Sequence, residues 1–148
     1  MGSDRRLLSS GAVWEPIVGY SRAVRVGGWV WVAGTTAART GAGPVGGDDI
    51  AEQTREAIRR IAAAVESVGG GLRDVVRTRM FTTDISRWEE IGRAHGEFFA
   101  DVRPAASMLE VRSLIAPDLL IEIEADAVIG EPHGFGVTDT GGQDSGYP

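Results

Sequence analysis

Carboxylate side chains occupy alternate positions near the end of the chain, within the stretch Leu119–Ile129. Glu122, Glu124 and Asp126 are separated from one another by Ile and Ala residues. Because successive side chains of a strand point to opposite faces, this alternation predicts a strand with one apolar face and one acidic face. Acids in a row on one strand face repel each other unless cations or water face them. The acidic face therefore needs a partner.

Two arginines lie on an earlier stretch, Val75–Thr83, which also alternates like a strand. Arg77 and Arg79 are expected to share one face of it. Buried charges must be paired, so one interpretation is that these arginines form ion pairs with acids of a neighbouring strand or subunit. The other is that one of them supplies the cation for an anionic ligand. The pattern predicts a sheet whose apolar face carries helices and whose charged face packs on another copy of the chain.

His95 lies in the second predicted helix. Histidine is the residue type whose side chain ordinarily titrates near neutral pH. It falls on a helical stripe with Trp88, Ile91 and Phe98. One interpretation is a partly buried histidine with one satisfied hydrogen bond, since histidine is intermediate in burial. The other is an acid or base in a ligand cleft. The pattern alone leaves both open.

The composition indicates one globular domain and argues against several kinds of site. The chain has 148 residues, of which 43% are hydrophobic and 24% are charged. Its net charge of −6 argues against a general nucleic-acid binder, which needs a basic surface. With no cysteine and 2 histidines, neither thiol chemistry nor a metal site is expected. No apolar run is long enough for a membrane span and no secretion signal is recognisable, so we predict a cytoplasmic protein.

A glycine-rich stretch formally matches the dinucleotide-binding fingerprint. Gly41, Gly43 and Gly46 have the required spacing, but Pro44 interrupts the motif. The fingerprint should also run directly from a strand into a helix, which this stretch does not. We therefore expect an ordinary loop and no cofactor.

Local signals give the order β-hairpin, helix, strand, helix, strand, strand, which predicts an α+β fold. Two helices begin with capping-box signals, Asp49 with Glu52 and Ser86 with Glu89. Strands separated by helices place both helices on one face of a mixed sheet. The predicted elements are a hairpin over residues 23–33 that turns at two glycines, a helix over Ile50–Val68, a strand over Val75–Thr83, a second helix after Ser86, and strands over Ser107–Val111 and Leu119–Ile129.

Three segments differ in character. Residues 1–15 are predicted to form a flexible N-terminal arm, and residues 16–130 the folded domain. Residues 131–148 are rich in glycine and lack apolar periodicity, which predicts a disordered tail.

An ordered set of motifs in residues 16–130 resembles the RidA (YjgF) family of reactive-intermediate deaminases. The set comprises Gly19-Tyr20-Ser21-x-Ala23 before the hairpin, Asp84 after the third strand, Phe98-Phe99 at the end of the second helix, Arg103-Pro104-Ala105, Glu110-Val111 and Ile121-Glu122-Ile123-Glu124-Ala125. The resemblance implies a chorismate-mutase-like fold. It also implies a homotrimer whose charged sheet faces pack around a central axis, with a ligand cleft at each subunit interface.

The resemblance further implies the chemistry of the family's best-studied branch, which hydrolyses 2-imino acids to 2-keto acids and ammonia. Tyr20, Gly34 and Glu122 match residues of that branch, and Glu122 corresponds to the acid that orients the attacking water. The arginine that binds the substrate carboxylate corresponds to Ala106. A neutral side chain cannot replace a guanidinium fork, so we expect 2-imino acid deaminase activity to be lost.

The candidate site combines these residues with those chosen from the sequence pattern. Its members are Glu122 and His95 as acid–base residues, with Tyr20, Gly34, Thr35, Arg79, Ala106 and Ser107 around the ligand. Glu122 is alternatively an ion-pair residue at the trimer centre. Arg79 is the first candidate to replace the missing cation, and Thr35 follows the hairpin where backbone amides often line a cleft.

Two functions follow from this set. The first is an enzyme acting on a small imine, enamine or related carbonyl compound. The second is a ligand-binding or regulatory trimer without turnover. Neither nucleic acid nor a membrane is expected as a partner.

Overall fold

The computed structural model describes residues 4–130, which form a six-stranded sheet with two long helices on one face. The strands are β1 (Arg5–Leu8), β2 (Ala23–Val26), β3 (Trp29–Thr35), β4 (Val75–Thr82), β5 (Ala105–Glu110) and β6 (Ile121–Val128), and the helices are α1 (Trp14–Val18), α2 (Ile50–Ser67) and α3 (Trp88–Phe99). The sheet order is β1-β2-β3-β6-β4-β5. Only the β4–β5 pair is parallel among these strands. The predicted α+β fold with a mixed sheet is confirmed.

β6 lies in the middle of the sheet and supplies much of the core. Its apolar positions are fully buried against the apolar stripe of α2, as the alternation predicts. The core residues of these two elements are Ile121, Ile123, Ala125 and Ala127 of β6 and Ile50, Ala57, Ile58, Ile61 and Val65 of α2. Burying an isoleucine side chain contributes about 1.5–3 kcal/mol, so this contact is a main source of stability.

Gln53 fixes the loop that leads into β6. It is fully buried on α2, and its Nε2 donates to the carbonyl oxygens of Gly47 at 2.6 Å and Asp118 at 3.0 Å. Its Oε1 accepts from the backbone N–H of Leu120 at 3.0 Å. A buried amide is stable only when its donors and acceptor are paired, and here all the partners are backbone groups. Gln53 therefore sets where β6 begins.

The face of the sheet opposite α2 and α3, which we call the open face, carries the charges predicted for it. Cross-strand registers place Trp31 opposite Asp126, Arg79 opposite Glu124, and Arg79 opposite Ser107. Trp29 and Trp31 stack at 6.3 Å between ring centroids and are 54% and 44% exposed. Large exposed tryptophans beside paired charges are typical of a surface that another protein covers.

Two predictions about the ends of elements were wrong. Within the predicted flexible arm, residues 1–15, the described part from residue 4 onward is structured, because Arg5–Leu8 pairs antiparallel with β2 and Trp14 begins α1. Ser86 does not cap α3. It lies inside a 3₁₀ turn, Ile85–Arg87, and the Asp84 side chain accepts from its backbone N–H at 3.1 Å. The predicted tail, residues 131–148, lies outside the described residues.

Candidate active site

Glu122 is a half-buried carboxylate on the open face, next to an irregularity in β3. The β3–β6 register shifts between Val32 and Thr35, which leaves Gly34 in a bulge. A Cβ on Gly34 would lie 2.8 Å from the Glu122 Cδ, so only glycine lets this carboxyl group approach the strand. Burial and then repulsion from Glu124 raise the pKa of Glu122, while Arg22 opposes the shift. A carboxyl group with a raised pKa is suited to acid–base work near neutral pH.

Arg22 belongs to this site, although its sequence context did not predict it. Its Nη2 donates to the Gly34 carbonyl oxygen at 2.7 Å. Its Nε is buried and has no hydrogen-bond partner among residues 4–130. Burial lowers the pKa of the Arg22 guanidinium, and the Tyr20, Glu15 and Glu122 side chains act against that shift. The motif left this position variable, and its burial depends on tertiary contacts that the sequence does not show.

Tyr20 borders an open concavity of about 1090 Å³ over the open face. Arg79 lies in the same concavity, with its Nη1 3.3 Å from Glu124 Oε1 and 3.3 Å from Asp126 Oδ2. These contacts fit the ion-pair interpretation of Arg79, and they occupy the guanidinium with acids of its own chain. Ser107 lies beside Arg79 on the neighbouring strand and is exposed.

Glu15 is a second buried acid at the edge of this concavity. Its carboxylate accepts hydrogen bonds from Ser9 Oγ at 2.6 Å and from the Ser10 backbone N–H at 2.8 Å. Hydrogen bonds from Ser10 and Ser9 lower the pKa of Glu15. Because residues 1–15 carry no strong strand or helix signal, the sequence alone did not indicate a role for Glu15.

His95 lies on the other side of the sheet, between α3 and β4. Its Nε2 is 2.9 Å from Thr78 Oγ1, and its ring centroid is 4.6 Å from that of Phe99. Burial lowers the pKa of His95, so the ring is neutral at neutral pH. The contact with the Thr78 hydroxyl fits the interpretation of His95 as a partly buried histidine with one hydrogen bond. A neutral imidazole can also accept a proton, so the acid–base interpretation stays open.

Ala106 lies on the same side of the sheet as His95. It is opposite Thr78 in the parallel β4–β5 pair and is exposed on the edge strand. Thr35, in contrast, is 1% exposed, and its hydroxyl donates to the Ala33 carbonyl oxygen at 2.7 Å. Only the backbone of Thr35 is left to line a cleft.

The candidate residues therefore fall into two groups on opposite faces of the sheet. The open-face group contains Tyr20, Arg22, Gly34, Arg79, Ser107 and Glu122, and the helix-face group contains His95 and Ala106. Across the sheet, β3 and β5 are separated by β6 and β4, which amounts to about 14 Å. One chain cannot bring both groups to one small molecule.

Among residues 4–130, no group of three or more His, Cys, Asp or Glu side chains could hold a metal ion. Nor does that part of the chain contain a helix long and apolar enough to cross a membrane.

Comparison with known proteins identifies the family. The family model described as endoribonuclease L-PSP matches residues 11–129, and the chain belongs to this family, as the RidA (YjgF) resemblance predicted. An uncharacterized protein of Streptomyces coelicolor is 38% identical over 84% of this chain and 92% of its own length. A RutC family protein of Pyrococcus abyssi is 35% identical over 76% of this chain and 88% of its own length.

Solved structures of the family have the same fold. A YjgF/YER057c/UK114 family member from Mycobacterium tuberculosis is 55% identical, with a TM-score of 0.78 over 85% of this chain and 100% of its own. The YjgF gene product of Escherichia coli is 31% identical, with a TM-score of 0.67 over 75% of this chain and 88% of its own.

Proposed function

We propose that the chain assembles as a homotrimer that binds a small metabolite in clefts between subunits and hydrolyses an imine, an enamine or a related carbonyl compound. One observation carries the proposal: the candidate residues lie on opposite faces of one sheet. Such residues can surround one ligand only if the open face of one copy meets the β5 edge of another. The stacked tryptophans of the open face supply an apolar surface for that contact.

In this mechanism Glu122 is the acid–base residue. Its carboxylate accepts a proton from water as the water oxygen attacks the C=N carbon, so that a C–O bond forms while the π pair moves to nitrogen, which takes up a proton. Cleavage of the C–N bond then needs a proton on the leaving nitrogen, which yields the carbonyl product and ammonia. Neutral His95 of the adjacent copy is the second group able to carry a proton. Tyr20 and the backbone at Gly34 position the substrate.

Ala106 decides which substrates fit. A methyl group on the exposed edge strand offers no hydrogen bond to a carboxylate, whereas a guanidinium would bind both of its oxygens. We therefore expect the substrate to lack the carboxylate of a 2-imino acid, or to bind it through another cation. If the protein hydrolyses 2-imino acids no faster than buffer alone does, the result also fits the alternative function of a ligand-binding or regulatory trimer without turnover.

The name of the matched family model raises ribonuclease activity as an alternative. A net charge of −6 gives poor general attraction for RNA, and only two histidines are present. Phosphodiester cleavage is therefore not part of the proposal. A cytoplasmic location stays a prediction.

Cross-linking tests whether the two faces meet between copies. The chain has no cysteine, so Ala33→Cys on β3 and Ala106→Cys on β5 introduce the only thiols. A bis-maleimide shorter than three strand spacings cannot join them within one chain. We expect the double variant to give covalent dimers and trimers, and each single variant to stay largely monomeric on a denaturing gel. Complete labelling of both thiols without linked chains would contradict the shared cleft.

A further inference from the structure

We infer that Arg22 is a positioning residue that holds the Glu122 carboxylate at the Gly34 bulge as its counter-ion. The inference rests on the proposed role of Glu122 as the acid–base residue, and it adds a residue that the family motif leaves variable. It concerns contacts within one chain. It can therefore be tested separately from assembly and turnover.

Arg22 and Glu122 converge on the same residue from two sides. The Arg22 Nη2 is 2.7 Å from the Gly34 carbonyl oxygen, which fixes the backbone of the bulge. The Glu122 carboxyl group occupies the space that a side chain at Gly34 would need, with its Cδ 2.8 Å and its Oε1 3.0 Å from the Cβ position. The Arg22 guanidinium and the Glu122 carboxylate thus both lie against the backbone of Gly34.

The unpaired Nε of Arg22 needs an acceptor. A buried N–H without a partner is disfavoured, and water or a side chain normally satisfies it. Glu15 also faces Arg22, but its carboxylate is already bonded to Ser9 and Ser10. The Glu122 carboxylate accepts no hydrogen bond from residues 4–130 of the structure. It is therefore the acid able to approach the guanidinium, directly or through a water.

The other charges near Glu122 cannot take over this role. On its own strand, Glu124 repels it, and the nearby cation of β4, Arg79, is bonded to Glu124 and Asp126. The register partner of Glu122 on β4 is uncharged Phe81.

Two further groups face Arg22 itself. Tyr20 is one of them, and Arg60 of α2 repels the guanidinium while donating to the carbonyl oxygens of Thr36 and Ala38. Without Arg22, the remaining charge that acts on Glu122 is that of Glu124. The neutral form of Glu122 would then be favoured further, and its pKa would rise.

The test is an NMR pH titration of the Glu122 side-chain carboxyl carbon, assigned by its disappearance in Glu122→Gln. We expect Arg22→Gln to raise the pKa of Glu122 by about one unit, a tenfold change in the protonation equilibrium. Arg22→Lys restores the charge and should return the pKa most of the way. The matched control is Arg59→Gln, which removes an exposed α2 arginine paired with Glu52 and should leave the titration unchanged.

An equal titration curve in wild type and Arg22→Gln would overturn the inference. If Arg22→Gln does not fold, the wild type still tests the inference. In the wild type the chemical shift of the Arg22 Nε resonance should change at the pH where Glu122 titrates. In Glu122→Gln that pH-dependent change should be absent. A pH-independent Nε resonance would also overturn it. Failure of the cross-linking experiment, in contrast, would count against the shared cleft and leave this pairing intact.

Discussion

Gln53→Ala is expected to lower the free energy of unfolding by about 3 kcal/mol, because it leaves backbone groups unpaired at roughly 1–3 kcal/mol for each that stays buried. The substitution removes hydrogen bonds to Gly47, Asp118 and Leu120 at once. Since Leu120 immediately precedes β6, the placement of Glu122 should loosen as well. Urea unfolding at a fixed protein concentration measures the change, because the stability of the proposed trimer would depend on protein concentration.

The control for this prediction is Arg59→Ala on the exposed side of the same helix. A surface change of this kind should stay within about 0.5 kcal/mol. A loss below about 1 kcal/mol for Gln53→Ala would mean that water replaces the amide, contrary to the role assigned to Gln53.

Ala106→Arg is expected to create or raise hydrolysis of 2-iminobutanoate by roughly ten- to a hundred-fold over wild type. A bidentate contact between guanidinium and carboxylate contributes about 1.5–3 kcal/mol, and better positioning adds to the rate. Wild type should release ammonia from the freshly generated imine no faster than buffer does.

Two controls separate geometry from charge. Ala106→Lys adds the charge without the planar fork and should recover less activity. Ala105→Arg places the same guanidinium on the opposite side of β5, opposite Arg77, and should recover none. Robust deamination of 2-iminobutanoate by wild type would contradict the expected loss of activity at Ala106. Arg79→Ala and Arg22→Gln would then show which cation holds the carboxylate.

The elements with long periodic patterns could be predicted from the sequence. A helix predicted over Ile50–Val68 runs over Ile50–Ser67, and a strand predicted over Val75–Thr83 runs over Val75–Thr82. In both, a continuous apolar pattern matches the face that the core buries. β5 begins at Ala105, earlier than predicted, because its pairing with β4 rather than its own apolar residues sets its start.

The N-terminal elements could not be predicted because their signals are short and not local. β1 has four residues and is held by pairing with β2, while α1 has five and exposes Trp14 and Ile17. Isolated segments of this length are not stable by propensity alone. Their structure comes from contacts with distant parts of the chain.

The candidate site residues stay predictions drawn from family motifs and from the strand and helix patterns, and those patterns do not give their arrangement. Whether Ala106 shares a face with Glu122 depends on the β4–β5 and β4–β6 registers, and a shift by one residue would reverse the answer. Thr35 illustrates the same limit, since the bulge at Gly34 turns its side chain into the core. Arg22 is important through burial, which a motif does not record.

Sedimentation velocity of the wild-type chain at micromolar concentration shows whether copies of the chain assemble as a shared cleft requires. If the open face of one copy packs against the β5 edge of another around a threefold axis, the protein should sediment as one species of three times the 15.7 kDa chain mass. A single 15.7 kDa species under the same conditions would contradict the shared cleft, because one chain keeps His95 and Ala106 on the opposite side of the sheet from Glu122.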